Sequence, residues 1–305
     1  SGSDLIGMVV VRGESEAGTI IETNPTAGYT YGVYASRSEL ALQALTVQAG
    51  TGSSQVLLTS HRSGYLHLRD MTVDATGVAV GSVSEAGGFL ESVNSDHTGA
   101  SSYDLVAYAN SYAQASNPGG GARTVGTALA SGGTVDIAVG GTLTGNSLVA
   151  AGGRLTFTGL SGARVTMGGD ITADPGTFVG GSNFDFSGNG VFRGATVRLS
   201  GSNWSKTITM FGGFIRLDGA KSYISPATQS TVAAPLVLRS GAEYVTEATT
   251  EIRNSAGAYV GPSYGLQSIS VSANGTALSI TLQGEVTRVR LFGSAASHTG
   301  CTIGS

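Results

Sequence analysis

SGYLHLRDMTVDATG, residues 63–77, decides how the rest of the chain is read. Tyr65 to Arg69 alternates apolar and polar residues, the period of a strand with one buried face. Asp70 breaks the alternation, Met71 to Asp74 resumes it, and Thr76-Gly77 turns the chain. Similar phrases lie on both sides, SELALQALTVQAG (38–50) and GGFLESVNSDHTG (87–99). Written under one another, they place Leu42, Leu68 and Leu90 in one column, at offsets of 26 and 22 residues. Leu45, Met71 and Val93 form the next column, and Gln48, Asp74 and Asp96 a third. YGVYAS, QVLLTS and GVAVGS supply a further strand ahead of each phrase. Each unit is therefore about three short strands joined by turns, a solenoid period.

Composition agrees. Of 305 residues 48 are Gly, only 12% are charged and 40% are hydrophobic, which fits a packed all-β chain with many tight turns. The net charge of -4 and the lack of a basic run argue against a nucleic-acid partner. No apolar run is long enough to insert in a membrane. The single cysteine, Cys301, has no internal disulfide partner, and neither a metal-ligand set nor a cofactor motif is present. The leucine-rich-repeat pattern is missing, so the period points to a parallel β-helix whose coils stack about 4.8 Å apart.

Residues 1–30 read as N-terminal strands at the start of a fragment, and 31–121 as parallel β-helix coils. Residues 104–121 also carry helical spacing, with Asp104 placed as an N-cap, so helix and coil stay open there. Residues 122–256 read as a second, narrower Gly-rich block, anchored by Val135, Leu155, Phe178, Val197, Ile215 and Val237. Within it, Glu243, Glu247 and Glu251 fit a helical face, whereas their β-branched neighbours favour strands. Residues 257–305 read as a small antiparallel cap and trimerisation region, with a turn at Asn274-Gly275.

The phrases YGVYASRSELALQALTVQAG and LHLRDMTVDATG resemble coils of right-handed parallel β-helices of the pectate-lyase type. LASGGTVDIAVGGTLTG is similar to the phrase that opens the β-helix in bacteriophage tailspikes and receptor-binding fibres. That resemblance implies a homotrimer in the virion tail, outside the cell, that binds and in many members cleaves bacterial surface polysaccharide, capsule or O-antigen.

The candidate catalytic residues are Asp74 and Asp96, with His97 or His61 assisting. In adjacent coils two such carboxylates lie about 4.8 Å apart, a spacing that raises one pKa and suits a glycosidase. His61, Arg62, Tyr65, His67, Arg69, Asp70 and Glu91 lie around them. Among these, His61, Arg62 and Tyr65 are candidates for substrate binding, Tyr65 as a sugar platform and Arg62 as the partner of a uronate. Trp204, the one tryptophan, is a further candidate platform. The competing reading makes the aspartates turn caps. Function then divides between a polysaccharide-cleaving tailspike, which is favoured, a non-enzymatic receptor-binding fibre, and a cellular lyase or adhesin.

Overall fold

The computed structural model describes residues 8–24, 31–50, 56–118, 123–138, 142–159, 164–200, 203–204, 206 and 208–218, and only strand segments beyond. These residues form a parallel β-solenoid. The chain visits three sheets in turn, so that each strand pairs with the strands one coil before and one coil after it. Among the described residues the first sheet carries 12 strands, the second 9 and the third 12.

In the opening phrase, Tyr65–Arg69 lies in the first sheet and Thr72–Asp74 in the second. Asp70 between them is left-handed (φ 52°), as are Ala44 one coil earlier and Asn94 one coil later. Asp and Asn tolerate this conformation better than most side chains. The Asn94 amide donates to Asp70 Oδ1 at 3.1 Å, which ties successive corners together. At the corner between the third and first sheets, Gly88 lies against the Ser60 carbonyl oxygen of the preceding coil, where a Cβ has no room.

Inward residues form ladders. One runs Leu66–Leu90–Ala113–Val135–Leu155–Val179–Val197–Ile215, all fully or almost fully buried. Each large apolar member contributes roughly 1.5–3 kcal/mol of transfer free energy. The ladder corrects the sequence columns. Leu68 stacks on Leu42 as expected, but its partner in the next coil is Ser92, and Leu90 stacks on Leu66. The chain advances 26 residues from Glu39 to Tyr65 but 24, not 22, from Tyr65 to Phe89. In the Gly-rich region Val135, Leu155, Val197 and Ile215 share the expected column, but Val179 fills the place given to Phe178. Val237 belongs to the third sheet, opposite Thr209.

The Met8–Arg12 strand already belongs to the first sheet, and the same sheets continue past residue 121, where Tyr112–Ser116 pairs with Thr134–Ala138. Within 104–121 the described residues, 104–118, form no helix. Tyr103–Ala107 and Tyr112–Ser116 are strands with Leu105, Ala107, Ala113 and Ala115 buried. Asp104 does cap backbone, within its own coil and across to the next: it accepts from Ala100 N at 2.9 Å and from Thr127 N at 2.8 Å. Glu243–Glu247 and Glu251–Ile252 are strands, as their β-branched neighbours favour. Beyond residue 256, Val260–Tyr264 pairs antiparallel with Gln267–Ser270, while Arg288–Phe292 joins the first sheet in parallel. The Asn274-Gly275 turn and Cys301 lie outside the described residues.

Candidate functional site

The outward face of the first sheet carries two adjacent columns of side chains. Alternation sends Tyr65, His67 and Arg69 outward while Leu66 and Leu68 go inward. Parallel pairing then lines up Glu39, Tyr65, Phe89 and Tyr112 in one column. The neighbouring column runs Ala41, His67, Glu91, Gln114 and Asp136.

The first column is an aromatic ladder. Ring centroids are 4.4 Å apart between Tyr65 and Phe89, and 4.8 Å apart between Phe89 and Tyr112. The His67 ring stacks on Tyr65 at 4.0 Å and stands between two carboxylates. Its Nε2 lies 2.7 Å from Glu39 Oε1 and its Nδ1 3.0 Å from Glu91 Oε2. The Tyr112 hydroxyl donates to Asp136 Oδ2 at 3.0 Å, and Thr156 donates to Asp136 Oδ1 at 2.6 Å. Desolvation, reinforced by the Glu91 and Glu39 charges, holds the Tyr65 phenol above its ordinary pKa. Desolvation and then Asp136 do the same, more strongly, at Tyr112. Both phenols therefore stay neutral, with the Tyr112 proton held by Asp136. A half-exposed aromatic strip edged by carboxylates, an imidazole and phenols matches a ligand with apolar C–H faces and many hydroxyls.

Of the residues given a catalytic or binding role in the sequence, only Tyr65 lies in this cluster, beside His67 and Glu91, which the sequence places as neighbours of the candidates. Asp74 and Asp96 do not stack. The register pairs Asp74 with Thr98 and Asp96 with Thr72, an offset of two residues that puts their Cα atoms about 8 Å apart. Both have backbone duties. Asp74 Oδ1 accepts from Thr76 N at 3.0 Å. Asp96 accepts from Thr124 N at 2.6 Å and pairs with Arg123 at 3.0 Å.

His97 is fully buried in an apolar ladder, between Val73 and Val125. Its Nδ1 lies 3.0 Å from Ser82 Oγ and its Nε2 2.7 Å from Ser92 Oγ. Ser82 and Ser92 occupy the places that Leu58 and Leu68 fill one coil earlier. One coil thus carries a closed polar trio inside an otherwise apolar core. Desolvation lowers the His97 pKa to about 4, against a weaker opposing pull from Asp96.

His61 and Arg62 lie at the corner between the third and first sheets. The His61 Nδ1 meets the Tyr34 hydroxyl, and Arg62 is exposed with φ 50°. Tyr34 stacks on Tyr31, whose hydroxyl donates to Glu85 at 3.1 Å. Trp204 pairs with Phe186 in the second sheet, and its side chain lies outside the described residues. Glu39, Phe89 and Tyr112 escaped the sequence reading, while His67 and Glu91 entered it only as neighbours. Spacing the coils at 24 residues instead of 22 puts Tyr65 over Phe89 and His67 over Glu91.

Comparison of the chain with protein-family models, with curated proteins and with solved structures returns no match.

Proposed function

We propose that this solenoid is the receptor-binding tailspike of a bacteriophage, which lays an extended bacterial surface polysaccharide along the outward face of the first sheet. The observation that carries this reading is the Tyr65–Phe89–Tyr112 ladder beside Glu39, His67 and Glu91. A solenoid repeats its surface at each coil, so a linear polymer meets a run of equivalent subsites. Sugar C–H groups lie along the outward edges of the stacked rings, and sugar hydroxyls donate to the carboxylates. The assembly is a homotrimer of the virion tail, a proposal that extends the sequence resemblance.

Cleavage is the second reading. Glu39 and Glu91 both touch one imidazole beside the ladder, and a pair of carboxyl groups flanking the scissile bond is what glycoside hydrolysis uses. Affinity electrophoresis against capsule and O-antigen preparations, with a reducing-end assay on the same mixtures, tests both readings. Retardation by one polysaccharide that is lost in Phe89→Ala supports recognition. New reducing ends that vanish in Glu91→Gln support cleavage. Retardation that Phe89→Ala leaves unchanged refutes this face as the site. Light scattering behind size-exclusion chromatography decides between trimer and monomer.

A further inference from the structure

Farther along the same outward face the chemistry changes sign. The strands Arg154–Thr158, Phe178–Ser182 and Thr196–Ser200 are neighbours in the first sheet. They enclose a depression of about 230 Å³, lined by Arg154, Thr156, Phe178, Gly180, Ser182 and Arg198 among others. The hollow exists because Gly180 stands in the outward column between Thr156 and Arg198 and brings no side chain. The Phe178 ring lies over Gly180, so that a Cβ there meets its Cε1. The Arg154 guanidinium covers that ring, 4.0 Å from its centroid, which holds one cation at the rim. Arg198 is exposed on the opposite strand. Among the described residues neither arginine forms an ion pair with a carboxylate, whereas Arg123 and Arg164 both do.

We propose that this notch is a carboxylate subsite: it takes the anionic group of an acidic sugar between Arg154 and Arg198. Guanidinium is planar and presents paired donors that match a carboxylate. Ser182 adds a hydroxyl at the wall, the Thr156 proton being donated to Asp136, and the Phe178 edge gives the sugar an apolar contact. The notch lies three coils from Tyr112, about 14 Å along the axis at a pitch of 4.8 Å. The aromatic ladder is edged by Glu39 and Glu91, which repel an anion, whereas Asp136, on the strand next to the notch, accepts from Tyr112 and Thr156. One face therefore presents an acid-lined platform and a basic notch at a fixed separation. A polymer that alternates neutral and acidic sugars is held in one register, since like charges oppose the shifted alignments. This deepens the glycan reading, on which it rests for the polymer but not for the anion site itself.

The test uses small probes on the whole chain. Saturation-transfer NMR and calorimetry are run with methyl glucuronoside, methyl glucoside and inorganic sulfate, on the wild type and on Arg154→Gln, Arg198→Gln and Gly180→Val. Far-UV circular dichroism checks that each variant folds. The expected result is tighter binding of the glucuronoside than of the glucoside, the glucuronoside being weakened about tenfold to a hundredfold by loss of either arginine. Gly180→Val, whose side chain fills the notch and displaces the Phe178 ring under Arg154, abolishes it. No glucuronoside binding, or binding that all three variants retain, overturns the subsite. Sulfate bound as tightly as glucuronoside overturns the assignment to a carboxylate. Phe89→Ala belongs to the platform and leaves glucuronoside binding unchanged, so the glycan reading fails separately, on polymer binding alone.

Discussion

Acidification attacks this protein from inside, through His97. The imidazole is fully buried and its pKa falls to about 4, against about 6.5 for an exposed histidine. The unfolded chain therefore binds a proton at a pH where the folded chain does not. Above pH 6.5 neither state is protonated and stability is flat with respect to this group. As pH falls from about 6.5 to about 4, stability drops by up to about 1.4 kcal/mol per pH unit. The total loss is roughly 3 kcal/mol, and below pH 4 it levels off. That is a large share of the roughly 5–15 kcal/mol that usually separates folded from unfolded chains. The control is the triple variant Ser82→Ala, Ser92→Ala, His97→Leu, which removes the whole polar trio and leaves no hydroxyl without a partner. Urea unfolding of both proteins at pH 7, 5.5 and 4 gives the comparison, because carboxylate contributions common to both cancel in the difference. The wild type loses roughly 3 kcal/mol more than the variant between pH 7 and 4. Parallel pH profiles, or an imidazole that titrates near 6.5 in the folded protein by NMR, would refute the reasoning.

Three further substitutions probe the frame. Leu66→Ala empties a fully buried rung of the main ladder and costs about 2–5 kcal/mol, read from the denaturation midpoint. Gly88→Val drives a side chain into the Ser60 carbonyl and costs about 2 kcal/mol or more, seen as lost soluble yield or a lowered midpoint. Asp96→Asn weakens the pair with Arg123, whose side chains are 28% and 26% exposed, and costs about 1 kcal/mol or less while polysaccharide binding is unchanged.

The solenoid was legible because inward alternation and turn residues repeat along the chain, and 63–77 alone contains a strand, a left-handed corner and a second strand. What the sequence hid is register. Leu66 and Leu68 are both inward, so Leu90 aligns equally well with either, and only the backbone pairing chooses Leu66. A slip of two residues keeps every side chain on its own face, which is why the fold survives the error and the site does not. It stacked Asp74 on Asp96, which pair with Thr98 and Thr72, and it hid the alignment of Tyr65 with Phe89. His97 misled for a related reason. In Asp-His-Thr the middle residue points inward, and its partners Ser82 and Ser92 come from other strands of the same coil. The helical spacing in 104–121 yielded to pairing with coils on both sides, which satisfies the backbone of both strands there.

The most direct test of the glycan-binding face is a titration of the cognate polysaccharide, once retardation has identified it, against Tyr65→Ala, Phe89→Ala and Tyr112→Ala. Contact of the sugars with the outward ring edges predicts a several-fold to tenfold loss of affinity per substitution, with the far-UV spectrum unchanged. Thr72→Ala and Thr98→Ala, outward on the second sheet, serve as controls and bind as the wild type does. Loss of affinity in the second-sheet variants, with the three aromatic variants binding normally, would contradict the account.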